Sequence, residues 1–329
     1  MRVTGIRRRF DGMRFAFLPI LTLGLLAPAV VLSQDKGNDK AAKAKKPSTP
    51  FSWVSPLPNA EWAKKILPPT VQHATFTSPS MEVEVGYYIY LPPGYEDGEA
   101  RYPVVYHLHG GRPGGESKAV KLATFVDEAI QAGTIQPTIY VFPNGGPMSW
   151  YDMPDRENAM GETVFVKELV PHIDQAYRTW GTREGRALEG YSQGGRGTTR
   201  IMFKHPELFL SVAPGGSGYE PEKRIQENDG YESENLRFLP IGYNTWDIAN
   251  AYAEREDKPQ PPLDILIWDG TKCFNFEFNQ RFSAYLNELG VKHQTLWIQD
   301  VPHTATGSYE VNGDDIMGHH QRTFAKYRK

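Results

Sequence analysis

The 329-residue chain contains a single cysteine, Cys273, so no disulfide can form within it and packing has to supply its stability. An excess of positive charge is missing too. Lys and Arg number 36 against 39 Asp and Glu, a formal net charge of −3, which leaves no basic field for a nucleic acid. A run long enough to span a membrane comfortably is also lacking, because the apolar stretch Phe17 to Leu32 is short and is broken by Pro19 and Pro28. Preceded by the arginine-rich MRVTGIRRRFDGMRF, that stretch has the layout of a secretory signal over residues 1–33. The mature chain is expected to begin near Gln34, in a secreted or periplasmic location without stable membrane association. Arg8 and Arg9 admit the twin-arginine route, and an uncleaved anchor is the other reading. Residues 34–50, with KAAKAKK followed by PSTP, carry almost no large apolar side chains and read as a disordered linker rather than a lipid-binding patch.

From residue 51 to 329 the chain alternates between two periodicities. MEVEVGYYIY alternates in the manner of a strand, and YPVVYHLHG, PTIYVFPNG, GRALEGYS, FLSVAPGG, LDILIWDG and KHQTLWIQD are short apolar runs expected as strands. Between them, SKAVKLATFVDEAIQAG, ETVFVKELVPHIDQAY, GGRGTTRIMFKHPELF and FNFEFNQRFSAYLNELG have helical spacing. Strand alternating with helix predicts an α/β fold, a mostly parallel, doubly wound sheet with helices on both faces. Residues 216–262 interrupt the alternation with a polar stretch carrying Tyr219, Tyr231, Trp246 and Tyr252, expected as a lid-like insertion on the substrate side.

The stretch LEGYSQGGRG sets Ser192 in a G-x-S-x-G pattern after a strand and before a helix. A serine there either caps the helix or is lifted above the sheet edge as a nucleophile, and the strand-turn-helix context favours the nucleophile. An attacking serine needs two backbone N–H groups for the oxyanion. Gln193, directly after it, supplies one, and Gly111 in the HGG loop HLHGGRPGG is the candidate for the second. His107 and His109 flank that turn, but alternate positions face opposite ways and no acidic or cysteine cluster joins them, so no metal is expected. No cofactor is expected either. The base should follow the last strand, where WIQDVPHTATG places His303. His319 and His320 lie in the terminal helical segment and His205 at a helix end, which makes them poorer candidates.

These motifs, with YYIYLPPGYEDGEARYPVVYHLHGG, ELVPHIDQAYRT and DVPHTATGSY in the same order, resemble the esterase family of α/β-hydrolases that includes esterase D, enterochelin esterases, and the feruloyl and acetylxylan esterases of carbohydrate esterase family 1. The resemblance runs from about Thr75 to the C-terminus. It implies an α/β-hydrolase catalytic domain over residues 51–329 and a serine ester hydrolase acting on small esters or acylated polysaccharides. The departure is at the triad acid. Relatives carry G-x-x-D where this chain reads DGTKC, with Cys273 at the aspartate position. Glu277 is the favoured substitute, followed by Asp269 and then Asp300, while Glu189 is expected too deep in its strand and is assigned a pairing with Arg196. Trp150 and Tyr151 are candidate substrate contacts, equally readable as core aromatics. Two alternatives stay open: a carbohydrate-binding or accessory protein that has lost its acid, and an acyltransferase using the same site.

Overall fold

The computed structural model describes residues 51–56, 65–223, 225 and 236–328. The expected leader, the linker and Tyr231 lie outside the described residues. Eight strands form one sheet in the order β1-β2-β4-β3-β5-β6-β7-β8. They are β1 (Val71–Thr77), β2 (Glu84–Tyr90), β3 (Val104–Leu108), β4 (Ile139–Pro143), β5 (Arg186–Tyr191), β6 (Ser211–Gly215), β7 (Asp264–Gly270) and β8 (Gln294–Ile298). From β4 to β8 every pairing is parallel, and β2 joins β1 and β4 antiparallel. The apolar runs form strands because β3, β4 and β6 are buried along their whole length, with helices on both faces. The edge strand β1 is not evident in the sequence. Only Phe76 of its residues is buried, so VQHATFT lacks the apolar signature of the inner strands.

One face of the sheet carries α1 (Ala123–Gln131) and the C-terminal α7 (Ala305–Tyr327), with Val126, Ile316 and Phe324 buried against it. The other face carries α2 (Val170–Ala176), α3 (Gln193–Lys204), α5 (Thr245–Glu254) and α6 (Phe276–Glu288), which bury Ile173, Ile201, Ile248 and Phe282. The helix expected over SKAVKLATFVDEAIQAG starts as two 3₁₀ turns, Glu116–Lys118 and Val120–Leu122, before α1. A π-helical turn, Val164–Leu169, precedes α2, beside Pro171, which has no N–H to return to the preceding turn.

The described part of the segment expected as a lid packs into the domain. It includes α4 (Glu220–Lys223) and α5, whose N-cap Asn244 accepts from the Trp246 and Asp247 backbone N–H groups. Tyr219 stacks on Phe282 at 3.8 Å, Trp246 meets the same ring edge-on at 5.2 Å, and Tyr252 packs on Phe203. These aromatics are core residues.

Candidate active site

Strand β5 ends at Tyr191, and Ser192 turns the chain sharply with φ 59° and ψ −118°. A non-glycine residue in that region costs about 1–3 kcal/mol and has to be held by its surroundings. The hold comes from both sides: Ser192 N donates to Gly215 O at 2.9 Å, and Arg196 N donates to Ser192 O at 3.1 Å. Position 194 has to be glycine, since a Cβ there would lie 1.9 Å from Leu108 O. The Ser192 hydroxyl occupies the N-cap position of α3 yet makes no capping bond. Instead it faces His303 Nε2 at 3.1 Å.

His303 follows β8 in the loop that leads to Thr304, the N-cap of α7. The ring is half-buried, and burial together with the positive charge of Arg196 lowers its pKa to about 4. At neutral pH the imidazole is therefore uncharged, and a protonated Nδ1 leaves a lone pair on Nε2 for the serine proton.

The loop after β3 runs directly past the serine. A Cβ on Gly110 would lie 3.1 Å from Ser192 Cβ, and Gly111 has φ 73°. Ser149 Oγ donates to Gly111 O at 2.6 Å and fixes that peptide. The role of His109 has no signature in the local pattern. Burial lowers its pKa to about 3, so the ring is neutral. Its Nε2 accepts from Gly145 N at 3.0 Å and Gly115 N at 3.2 Å, which puts the proton on Nδ1, 3.1 Å from Gly110 O. Gln193 opens α3, and its side-chain Oε1 accepts from Arg112 Nη2 at 2.8 Å.

On its far side, His303 Nδ1 lies 3.0 Å from Cys273 Sγ and 3.4 Å from Tyr191 OH. Burial and the nearby charge of Asp269 push the Cys273 thiol up to about 12, so it stays protonated. Asp269, buried at the end of β7, accepts from Gly270 N at 2.9 Å and Asn279 Nδ2 at 2.6 Å, and lies close enough to Cys273 and Tyr191 for its charge to act on both. Burial raises its pKa to about 6. The structure does not bring Glu277 to the imidazole: it is exposed in the first turn of α6, 3.8 Å from Arg281. Asp300 is exposed as well, paired with Lys272 at 2.9 Å.

A family model described as "Putative esterase" matches residues 78–293. The chain belongs to this esterase family. It is 30% identical over 149 residues to an esterase of Mycobacterium tuberculosis (strain ATCC 25618 / H37Rv), covering 44% of this chain and 32% of that protein. It is 32% identical over 163 residues to an endo-1,4-beta-xylanase/feruloyl esterase of Xylanibacter ruminicola, covering 46% of this chain and 22% of that protein. In both matches the aligned region is a third or less of the relative's length. A solved ferulic acid esterase superposes with a TM-score of 0.63 at 22% identity, over 77% of this chain and 98% of its own. An S-formylglutathione hydrolase from Staphylococcus aureus superposes with a TM-score of 0.61 at 17% identity, over 76% and 98%. The fold is that of the α/β-hydrolases.

Other residues singled out in the sequence fall elsewhere. Trp150 is fully buried, donates from Nε1 to His109 O at 3.1 Å and packs beneath the start of α3, so it supports the loop and is closed to substrate. Tyr151 is buried too. Arg200 lies over its ring at 3.4 Å, and its hydroxyl donates to Glu222. Glu189 does not turn to Arg196: its oxygens meet His107 Nδ1 at 2.7 Å, Tyr309 OH at 2.6 Å and His320 Nε2 at 3.3 Å. Arg196 Nε donates to Ser217 O at 2.8 Å. With His107 on Glu189 and His109 on three backbone groups, both histidines of the turn are engaged within the protein. Among the described residues, an aromatic that does stand open at the site is Phe274, 70% exposed with its ring centroid 4.4 Å from that of His303.

Proposed function

We propose that the protein is a serine ester hydrolase. Ser192 attacks the acyl carbon while its proton passes to His303 Nε2, and the Gly111 and Gln193 N–H groups hold the oxyanion. His303 then returns that proton to the departing alcohol. Water repeats the sequence to release the acid and free the serine. The observation that carries this reading is the 3.1 Å approach of Ser192 Oγ to His303 Nε2 by a hydroxyl that caps nothing. The substrate class that fits best is an acylated carbohydrate or related small ester, supported by the relative named as a feruloyl esterase and by the open Phe274 ring beside the base.

The test is reaction with a fluorophosphonate probe together with turnover of an aryl acetate. Ser192→Ala should abolish labelling and lower turnover by roughly 10⁴–10⁶ while leaving the fold intact. A variant as fast as the parent would return Ser192 to an ordinary helix start. Export is part of the proposal, on the strength of the arginine-rich start and apolar run within residues 1–33. Intact mass of protein from its native host should show a chain beginning near Gln34, and a retained Met1 would contradict export with cleavage.

A further inference from the structure

We propose that Asp269 is the charged partner of His303 and acts on it through the Cys273 thiol, a positioning role that rests on the serine-histidine reading above. His303 can accept the Ser192 proton at Nε2 only if its own proton sits on Nδ1. Nδ1 faces Cys273 Sγ at 3.0 Å and the Tyr191 hydroxyl at 3.4 Å, and the sulfur is the nearer group placed to accept there. A thiol can do that while its own hydrogen points elsewhere, and the buried carboxylate of Asp269 at the end of β7, whose charge bears on the thiol, is the acceptor we assign to that hydrogen. Were the S–H to point at His303 instead, Nδ1 would have to be bare. The proton would then sit on Nε2 and the ring could not act as a base.

The carboxylate therefore sets the direction of the whole chain of hydrogen bonds. Asp269 takes the S–H, sulfur takes the Nδ1–H, and Nε2 takes the serine O–H. In the attack only the serine proton moves, from Oγ to Nε2. The Nδ1 and thiol protons stay where they are, and the positive imidazolium then faces the negative Asp269 across one sulfur atom. The surroundings preserve this arrangement. Asp269 is anchored by Gly270 N and Asn279 Nδ2, Tyr191 closes the space beside Cys273 and His303, and Arg196 is the cation whose field His303 feels. A thiol that ionises only near 12 remains a donor at any working pH.

Four variants of the full chain, assayed on one aryl ester, test the relay. Asp269→Asn and Cys273→Ala should each lower kcat by about 10–100-fold with KM little changed, less than for loss of a triad acid in direct contact because the charge is one atom removed. The double variant should be no slower than either, since both changes break one chain of bonds. Cys273→Ser, whose hydroxyl can also accept and donate, should stay within about threefold of the parent. The parent's kcat should fall on acidification through about pH 6 as Asp269 takes a proton, whereas Asp269→Asn should lack that limb and decline only toward pH 4, where His303 charges. A parental rate and acid limb in Asp269→Asn, additive losses in the double variant, or Cys273→Ser as slow as Cys273→Ala would each overturn the relay. A parent that never reacts with fluorophosphonate would instead defeat the serine-histidine reading, and a labelled parent with unaffected variants would defeat the relay alone.

Discussion

The imidazole of His303 packs between two aromatic rings, Tyr191 at 4.9 Å and Phe274 at 4.4 Å between centroids, and only Phe274 opens to solvent. An exposed phenyl ring beside the proposed base can give up its water only to an incoming ligand. Covering it is worth about 1–2 kcal/mol when the partner is aromatic. Phe274→Ala should therefore lower kcat/KM by about 5–30-fold for a cinnamoyl-type ester and change an acetyl ester by less than about twofold. Because the side chain is 70% exposed, thermal stability should hardly move. Equal losses on both esters would mean that the ring steadies His303 and touches no acyl group. Trp150 and Tyr151 follow a strand end, and the sequence leaves them equally readable as substrate contacts or as core aromatics. Burial separates the two cases, and it is a property of the fold that no local pattern displays.

At the scale of elements, the loop that carries Gly110 and Gly111 is held from behind by pieces far apart in sequence. His109 ties it to Gly115 and Gly145, and Gly146 O accepts from Gly114 N at 2.7 Å. Behind these lies the short described segment 51–56, where Trp53 donates from Nε1 to Asn158 O and its ring lies where a Cβ on Gly146 would have to go. Buried Glu116 gathers Ser55 N, Ser55 Oγ and Asn144 Nδ2 at 2.7–2.9 Å, joining that segment to the loop. The strands and helices were legible because burial on two faces leaves continuous apolar runs and burial on one face leaves a period near 3.6. The approach of Ser192 to His303, and of the Gly110–Gly111 loop to the serine, was legible because such a turn and its neighbouring loop need small residues at fixed spacing. The partner of His303 was not. Choosing among Glu277, Asp269 and Asp300 requires knowing that α6 turns Glu277 outward to Arg281 and that Cys273 fills the space in front of Asp269. Those are facts of tertiary placement, and the edge strand β1 escaped notice for the related reason that it buries only one side chain.

At the scale of the whole molecule, β5 does two jobs on its two faces. Its C-terminal end presents Ser192, while Glu189, in mid-strand, points into the opposite layer and joins β3 through His107 to α7 through Tyr309 and His320. All four side chains are buried. Burial alone would raise the Glu189 carboxyl, but His107 and His320 outweigh it and hold it well below the usual carboxylate range. A pKa lowered in the folded state contributes stability above the unfolded-state value, and that stability drains away as pH falls toward the folded one. Glu189→Gln keeps the shape and removes the charge, stranding two histidines against a neutral amide. Urea unfolding at pH 7 should show a loss of about 1–3 kcal/mol, the usual consequence of disturbing buried hydrogen bonds to a charged acceptor. The difference between variant and parent should shrink below about pH 4, where the parent's own carboxylate begins to be protonated in the unfolded chain. Turnover per fluorophosphonate-reactive serine should be unchanged, because Glu189 faces away from Ser192. Equal unfolding free energies at pH 7 would show that the network orders the core without stabilising it, and a lost rate at full labelling would show that the elbow feels the layer beneath it.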